Sequence, residues 1–181
     1  SILRGVKQID ELISDIITIN LNQEEIEPVL VEGNLIDFCQ DIIDKIEYLS
    51  YPYKINFFAR LSSKTRLGVK FDPVLLKPVL THLLNNGIKY SPAVLTIHLR
   101  IWESPEEIIF EIQDHGIGIP GKELEKIFEP FQRGSNVGHI AGIGIGLTIA
   151  KKLVTFYGGR IEIQSELGQG TTVSLAMPKQ L

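Results

Sequence analysis

The chain has 181 residues, of which 44% are hydrophobic and 22% charged, with a formal charge of -4. That composition suits one sizeable domain plus a small appendage, excludes compositional disorder, and gives no global attraction to nucleic acid or an anionic membrane. Cys39 is the only cysteine, which excludes an intramolecular disulfide and a cysteine metal cluster, and the four histidines lack ligand spacing with one another.

Residues 1–20 read as a helix, because Val6, Ile9, Ile13 and Ile16 recur by three and four along one face. Such a stripe needs cover from a second helix, from a copy of itself in a homodimer, or from the main domain. Residues 21–33 are polar and acidic, contain Pro28 and Gly33, and read as a linker. The main domain is placed at 34–181. No apolar run approaches the ~18 residues of a membrane span, and the start lacks a signal-peptide layout, so a cytoplasmic location is expected, even where a longer parent is membrane-bound.

Within the main domain, "LIDFCQDIIDKIEYL" predicts a helix with Asn34 as N-cap and Leu35, Phe38, Ile42 and Ile46 on one face. Cys39 falls inside this run and reads as a buried structural thiol. "KINFFARL" and "GVKF" predict strands. Asp72 and Pro73 predict a helix start, with the helix running to about Lys89 and Pro78 kinking it or loosening a turn. "VLTIHLRIW" and "EIIFEIQD" predict a strand hairpin turning through residues 103–107. A short helix is expected over 122–128 and another over about 143–157, with Leu147, Ala150, Val154 and Tyr157 inward. "RIEIQSE" and "TTVSLAM" predict a last strand pair turned by residues 167–170. Antiparallel pairs with helices grouped between them predict a two-layer α/β sandwich with a mixed, largely antiparallel sheet, since a doubly wound fold needs regular βαβ alternation.

Twelve of the sixteen glycines fall between Gly116 and Gly170. Glycine costs backbone entropy, so three separate clusters beside charged and amide residues imply backbone pressed against a ligand. In "DHGIG", Asp114 stands at a strand end, where a carboxylate can accept from an exocyclic amine, and Gly116 and Gly118 let backbone approach a flat ring. A β-turn with an aspartate cap is the bland alternative. In "GIGIGL", Gly142, Gly144 and Gly146 run into a helix whose first amides can meet phosphate. The lysine and hydroxyl residue of a P-loop are missing after them, and no strand introduces them as in a dinucleotide fingerprint. In "HLLNNGIKYSP", Asn86 and Lys89 share a helix face. An amide oxygen there can ligate Mg²⁺ and the lysine can neutralise phosphate, while Tyr90 can pack on a base or cover core. Paired Asn85 and Asn86 are poor helix formers, a cost that asks for a reason. Residues 132–141 are polar and unpatterned, as a mobile lid or a plain solvated loop would be, and Arg133 is their best phosphate reader.

These motifs together resemble the catalytic domain of sensor histidine kinases, within the wider ATP-binding fold that includes DNA gyrase, Hsp90 chaperones and MutL. "HLLNNGIKYSP" resembles the asparagine box, "DHGIGI" the first glycine box, "FEPF" the phenylalanine box, "GIGIGL" the second glycine box and "GQGTTV" the last, covering roughly residues 34–178. The resemblance implies ATP and Mg²⁺ as cofactors. It places Asn86 at the metal, His82, Asn85, Lys89 and Tyr90 at nucleotide-contact positions, and Asp114 at the adenine amine. Gly116, Gly118 and Ile119 would line the ring, and Gly142, Ile143, Gly144, Ile145, Gly146 and Leu147 the phosphates. Arg133 would meet the γ-phosphate, and Thr171 would support adenine through water. Asn86, Lys89 and Arg133 would assist transfer of the γ-phosphoryl group to a histidine.

The opening helix resembles the second helix of the dimerisation and phosphotransfer hairpin. None of His82, His98, His115 or His139 lies in the phosphoacceptor pattern, so the acceptor histidine is expected on another helix, with a response-regulator receiver domain as the next partner and no nucleic acid. This chain alone is expected not to autophosphorylate. His82 replaces the usual first asparagine of its box, Pro78 a usual glutamine, and the glutamate base of the wider fold's ATPases is absent. An ATPase or serine kinase of the same fold, and a non-enzymatic ATP-binding module, are the rival readings.

Overall fold

The computed structural model describes residues 28–140 and 142–179. The expected N-terminal helix, its pairing role and most of the linker lie outside the described residues. In chain order the elements are β1 (Val31–Gly33), α1 (Leu35–Leu49), β2 (Lys54–Arg60), α2 (Ser63–Leu67), β3 (Val69–Phe71), α3 (Pro73–Tyr90), β4 (Thr96–Glu103), β5 (Glu107–Gln113), α4 (Gly146–Phe156), β6 (Arg160–Glu166) and β7 (Gly170–Pro178).

The main sheet has five strands in the order β2-β4-β5-β7-β6, and β1 and β3 form a separate two-stranded ribbon. Only β2 and β4 run parallel, joined through α2, β3 and α3, and every other pair in the sheet is antiparallel. Strand alternation writes the inner face directly. Leu99, Ile112, Val173 and Ile163 lie across the sheet in one row, and Ile101, Phe110, Leu175 and Ile161 in the next. Helices α1, α3 and α4 cover that face with Cys39, Ile42, Leu80, Leu84, Ile149 and Val154, making one apolar core. Burial pushes the Cys39 thiol up to about 12, which keeps it protonated and inert. The opposite face carries polar pairs such as Arg100 and Glu111, 2.7 Å apart. The expected two-layer sandwich with its mixed sheet is the observed one.

Caps set the helix starts. Asn34 Oδ1 accepts from the Ile36 and Asp37 amides, and Asp72 Oδ1 from those of Val74 and Leu75. Asp72 also holds the Val29 amide through its other oxygen at 2.7 Å, and Tyr157 donates to its carbonyl. Helix α3 runs continuously through Pro78, from Pro73 to Tyr90.

Four details differ from the sequence reading. Residues 31–33, read as linker, pair with β3 as a strand. Helix α2, capped by Ser62, was not foreseen, since five residues hold too little of a 3.6 period to register. Over 122–128 there is no α-helix: a 3₁₀ turn at Gly121–Glu123 passes into successive turns. Helix α4 starts at Gly146, three residues later than expected, because Gly142 and Gly144 both take positive φ.

Candidate functional site

The site is assembled from element ends. The last turns of α3, the end of β5, the start of α4, the facing parts of β6 and β7 and the segment 132–137 surround one cleft. His82, Asn86, Lys89, Tyr90, Asp114, Ile119, Arg133, Ile143, Gly144, Ile145, Gly146, Leu147 and Thr171 all line it. Asn85 does not. It is exposed and lines a groove between α1 and α3 beside Lys77 and Thr81.

At one end of the cleft stands Asp114. Its amide donates to the Thr171 carbonyl at 2.9 Å, continuing the β5–β7 ladder by one residue. Its Oδ1 accepts from the Gly116 amide at 2.9 Å and the Thr171 amide at 3.1 Å. Oδ2 takes neither amide. Burial raises the Asp114 pKa above the ordinary carboxylate value, while the Gly116 and Thr171 amides and the Ser91 hydroxyl oppose the rise. The backbone around it is tight. A Cβ on Gly170, at φ +105, would stand 2.2 Å from the Asp114 carbonyl, so only glycine closes this turn. The Ile117 amide donates to the Tyr90 carbonyl, and the Gly168 amide to the Ile117 carbonyl, fixing the loop between α3 and the β6–β7 turn.

The floor between the two ends is apolar. Ile112, Ile127, Ile163 and Val173 line it, of which only Val173 falls within a quoted motif, and Val137 of the segment 132–141 joins them. Ile112, Ile163 and Val173 could have been found from strand alternation, since each faces inward from a strand already predicted.

At the other end α4 begins. Its N-cap residue, Ile145, offers no side-chain hydrogen bond, so no side chain satisfies the first amides of the helix. The Thr148 hydroxyl, one turn in, is buried without a partner. Gly144, at φ +80, packs so closely on the preceding segment that a Cβ would stand 2.5 Å from the Gln132 carbonyl. The backbone leading into α4 thus curls with its amides free, the arrangement that binds anions. Two cations flank it. The Lys89 amine donates to the Tyr90 hydroxyl at 2.9 Å and sits where a side chain on Gly142 would fall. Arg133 donates to the Ile140 carbonyl, and its Cγ lies 3.1 Å from the Cβ position of Gly144.

Asn86 and His82 lie one turn apart on α3, and both approach Gly146 across the helix contact. The Cβ position of Gly146 is 3.6 Å from His82 Nδ1 and 3.7 Å from Asn86 Nδ2. Rotating the Asn86 amide brings its oxygen to the same place. Among the described residues no group of three or more His, Cys, Asp or Glu could hold a metal. A single hard amide oxygen fits Mg²⁺, which keeps several waters and takes its remaining ligands from phosphate.

The segment expected as a lid is tethered near its middle. The Asn136 amide nitrogen donates to the Gly118 carbonyl at 2.8 Å, and the Ser135 amide to Glu123 at 2.9 Å. Sequence reading missed Asn136, because nothing local marks it as a bridge to Gly118.

The comparisons with known proteins agree with one another. Residues 71–181 match the family described as histidine kinase-, DNA gyrase B- and HSP90-like ATPase. The circadian input-output histidine kinase CikA of Synechococcus elongatus is 36% identical over 130 residues, 70% of this chain and 17% of that protein. The sensor histidine kinase WalK of Bacillus subtilis is 33% identical over 148 residues, 80% of this chain and 24% of that protein. The chain therefore spans about a fifth of the length of these relatives. Among solved structures, the Acinetobacter baumannii histidine kinase AdeS superposes with a TM-score of 0.78 at 18% identity, covering 99% of this chain and 82% of its own. Full-length ShkA in complex with AMPPNP gives 0.77 at 21% identity, covering 97% and 36%. At such identities these two likenesses speak for the fold alone.

Proposed function

Because the chain belongs to the histidine kinase-, DNA gyrase B- and HSP90-like ATPase family, as an ATP-binding catalytic domain of the sensor histidine kinase kind, we propose that its cleft holds Mg-ATP for transfer of the γ-phosphoryl group to a histidine of a separate helix. The observation that carries this reading is the polarity of one cleft. A carboxylate acceptor stands at one end, an apolar floor lies between, and an uncapped helix start with Lys89 and Arg133 stands at the other.

In this reading Asp114 Oδ2 accepts from the adenine amine, and Ile112, Ile163 and Val173 pack on the ring. Lys89, Arg133 and the amides around Gly144 to Leu147 take the phosphates. Asn86 would hold the metal, which would supply neutralisation of the phosphate charge. An incoming imidazole nitrogen then attacks the γ-phosphorus, the bond from the β–γ bridging oxygen breaks, and ADP leaves with the electron pair. The domain's work is positioning and electrostatic, since it offers no nucleophile of its own. A receiver-domain aspartate is the next acceptor, and residues 1–20 are the second helix of the hairpin that presents the histidine. The segment 132–141 acts as a lid that orders on the γ-phosphate.

Among the described residues no helix is long and apolar enough to cross a membrane. The decisive experiment mixes the chain with Mg-ATP labelled at the γ position and a separately produced phosphoacceptor hairpin. Acid-labile label on the hairpin supports the transfer. Nucleotide binding without any label on an acceptor-competent hairpin refutes it and leaves an ATP-binding module. No acid-labile label is expected on the chain by itself.

A further inference from the structure

Ser165 lies on β6, directly opposite Thr171 on β7, and is not among the residues lining the cleft. Its hydroxyl nevertheless makes three hydrogen bonds at the base end of the site. The oxygen accepts from the Ile119 amide at 2.9 Å, it donates to the Gly170 carbonyl at 2.8 Å, and it lies 2.9 Å from Thr171 Oγ1. A serine hydroxyl has one proton and two acceptor sites. The proton is committed to the Gly170 carbonyl, which cannot donate, and one acceptor site to the Ile119 amide. The contact with Thr171 therefore has a fixed direction: Thr171 donates and Ser165 accepts. With its own proton spent, Thr171 can offer the cleft only lone pairs.

We propose that Ser165 is a positioning residue that sets base selectivity, by turning the Thr171 hydroxyl into a pure acceptor beside Asp114. This rests on the reading of the cleft as an ATP site. The Thr171 amide also holds Asp114 Oδ1, so two acceptors, the carboxylate and the hydroxyl, are fastened to one another at the same end. A purine carrying an exocyclic amine at that edge satisfies both, directly or through one water. A purine carrying a carbonyl there meets two acceptors with an acceptor, and a buried mismatch of that kind costs more than a missing contact. Ser165 thus touches no ligand atom and acts through Thr171. It also staples the loop after Asp114 to the last turn, through Ile119 on one side and Gly170 on the other.

The test is a comparison of affinities for ATP and GTP, read by displacement of a fluorescent ATP analogue, for the parent chain, Ser165→Ala, Ser165→Thr, Thr171→Val and the Ser165→Ala/Thr171→Val pair. In Ser165→Ala the Thr171 proton is freed and can turn into the cleft. The ratio of GTP to ATP dissociation constants should fall roughly 3- to 10-fold, the effect of one ordinary hydrogen bond. Ser165→Thr keeps the hydroxyl and should restore the ratio, which a merely structural role would not require. The paired variant should discriminate no less than Thr171→Val alone, because the base edge is read through the Thr171 hydroxyl and the Ile119 staple adds no hydrogen bond to it. If Ser165→Ala does not fold, the near-isosteric Ser165→Cys, a poor hydrogen-bonding substitute, takes its place with the same expectation. An unchanged ratio in a folded Ser165→Ala or Ser165→Cys overturns the proposal, as does a ratio that Ser165→Thr fails to restore. A parent chain that does not bind ATP overturns both this and the function it rests on, whereas a parent that binds ATP with selectivity indifferent to Ser165 overturns this alone.

Discussion

Asp114→Asn separates a ligand-reading carboxylate from a turn-capping one. Both amides that hold the side chain, those of Gly116 and Thr171, converge on Oδ1. An asparagine oxygen in that place can accept from both, so the turn keeps its hydrogen bonds. The amide nitrogen then replaces Oδ2 and presents donors to the cleft. A contact between a charged acceptor and an amine is worth about 1.5–3 kcal/mol, or roughly ten- to a hundredfold in affinity, and the new donor opposes the adenine amine as well. Fold stability should move the other way or not at all. Burial raises the Asp114 pKa in the folded state, so the ionised carboxylate is a net cost to folding above its pKa, and an uncharged isostere removes that cost. Calorimetric titration with Mg-ATP and thermal unfolding without nucleotide read the two effects separately. A large loss of affinity with an unchanged or higher melting temperature is the expected result. Equal affinity in a folded Asp114→Asn chain, or an affinity loss that merely follows a loss of stability, would refute the assignment.

Amide hydrogen exchange over residues 138–140 should slow more with a non-hydrolysable ATP analogue than with ADP, because only the former offers a γ-phosphate to Arg133; equal protection by both, or full protection without nucleotide, sinks the lid. The segment 134–137, already held by Ser135 and Asn136, should change less. Gly144→Ala should destabilise the chain by about 1–3 kcal/mol, since φ is +80 and the Gln132 carbonyl blocks the methyl, whereas Gly146→Ala meets only ordinary contacts and should hold or gain up to ~1 kcal/mol by helix propensity. Matching melting temperatures for the two variants would contradict the packing described. Lys179, Thr65 and the Ser62 amide and hydroxyl hold the Glu103 carboxylate down to about 2, against an ordinary 4.5, so it contributes stability above pH 4.5 that is lost as pH falls towards 2. Glu103→Gln should flatten the acid limb of a denaturation series between those values, and an acid limb unchanged by the substitution would show the cluster to be inert.

The elements with a period were legible, and of the shorter ones only β3 was, from "GVKF". Helix α1 announces itself through Leu35, Phe38, Ile42 and Ile46, and the strands β4 to β7 through alternation that becomes the two rows of core residues. Helix α2 and strand β1 span five and three residues, too few for either pattern, and exist because Ser62 caps one and β3 pairs the other. Cleft-lining residues were legible where chemistry demands a rare type at a fixed place, as with Asp114 at a strand end or Gly144 before a helix. Asn85 shows the limit of that signal. At 3.6 residues per turn, and counting from His82, the cleft-lining Lys89, Asn86, Tyr90, Leu83 and Gly87 run from about -20° to about +140° round the helix, whereas Asn85 stands at about -60°, so it falls past the rim of the cleft. Ser165 was legible in principle. The predicted turn at 167–170 sets it against Thr171, but nothing in a single strand says that two facing hydroxyls will share a proton.

The division between core and site has a physical cause. Every residue of the two inner rows is apolar, and most hydrogen-bonding groups of the cleft come from near the places where regular structure stops: the last turns of α3, the end of β5, the first turn of α4 and the start of β7. Backbone groups left over at such ends must find partners. At the base end they find one another, through Asp114, Thr171, Ser165 and Gly116, and the result is rigid before any ligand arrives. At the phosphate end no side chain caps α4, Thr148 is left unpartnered, and Arg133 and Lys89 are spent on a carbonyl and a neighbouring hydroxyl. A pre-ordered end gives selectivity, because a wrong edge cannot be accommodated by relaxation. An under-satisfied end gives response, because a triphosphate brings acceptors that the protein lacks and can redraw the hydrogen bonds of the adjoining segment. On the proposed reading the same nucleotide would be read by a stiff end and acted on by a loose one, and the apolar floor between them would let each do so without disturbing the other.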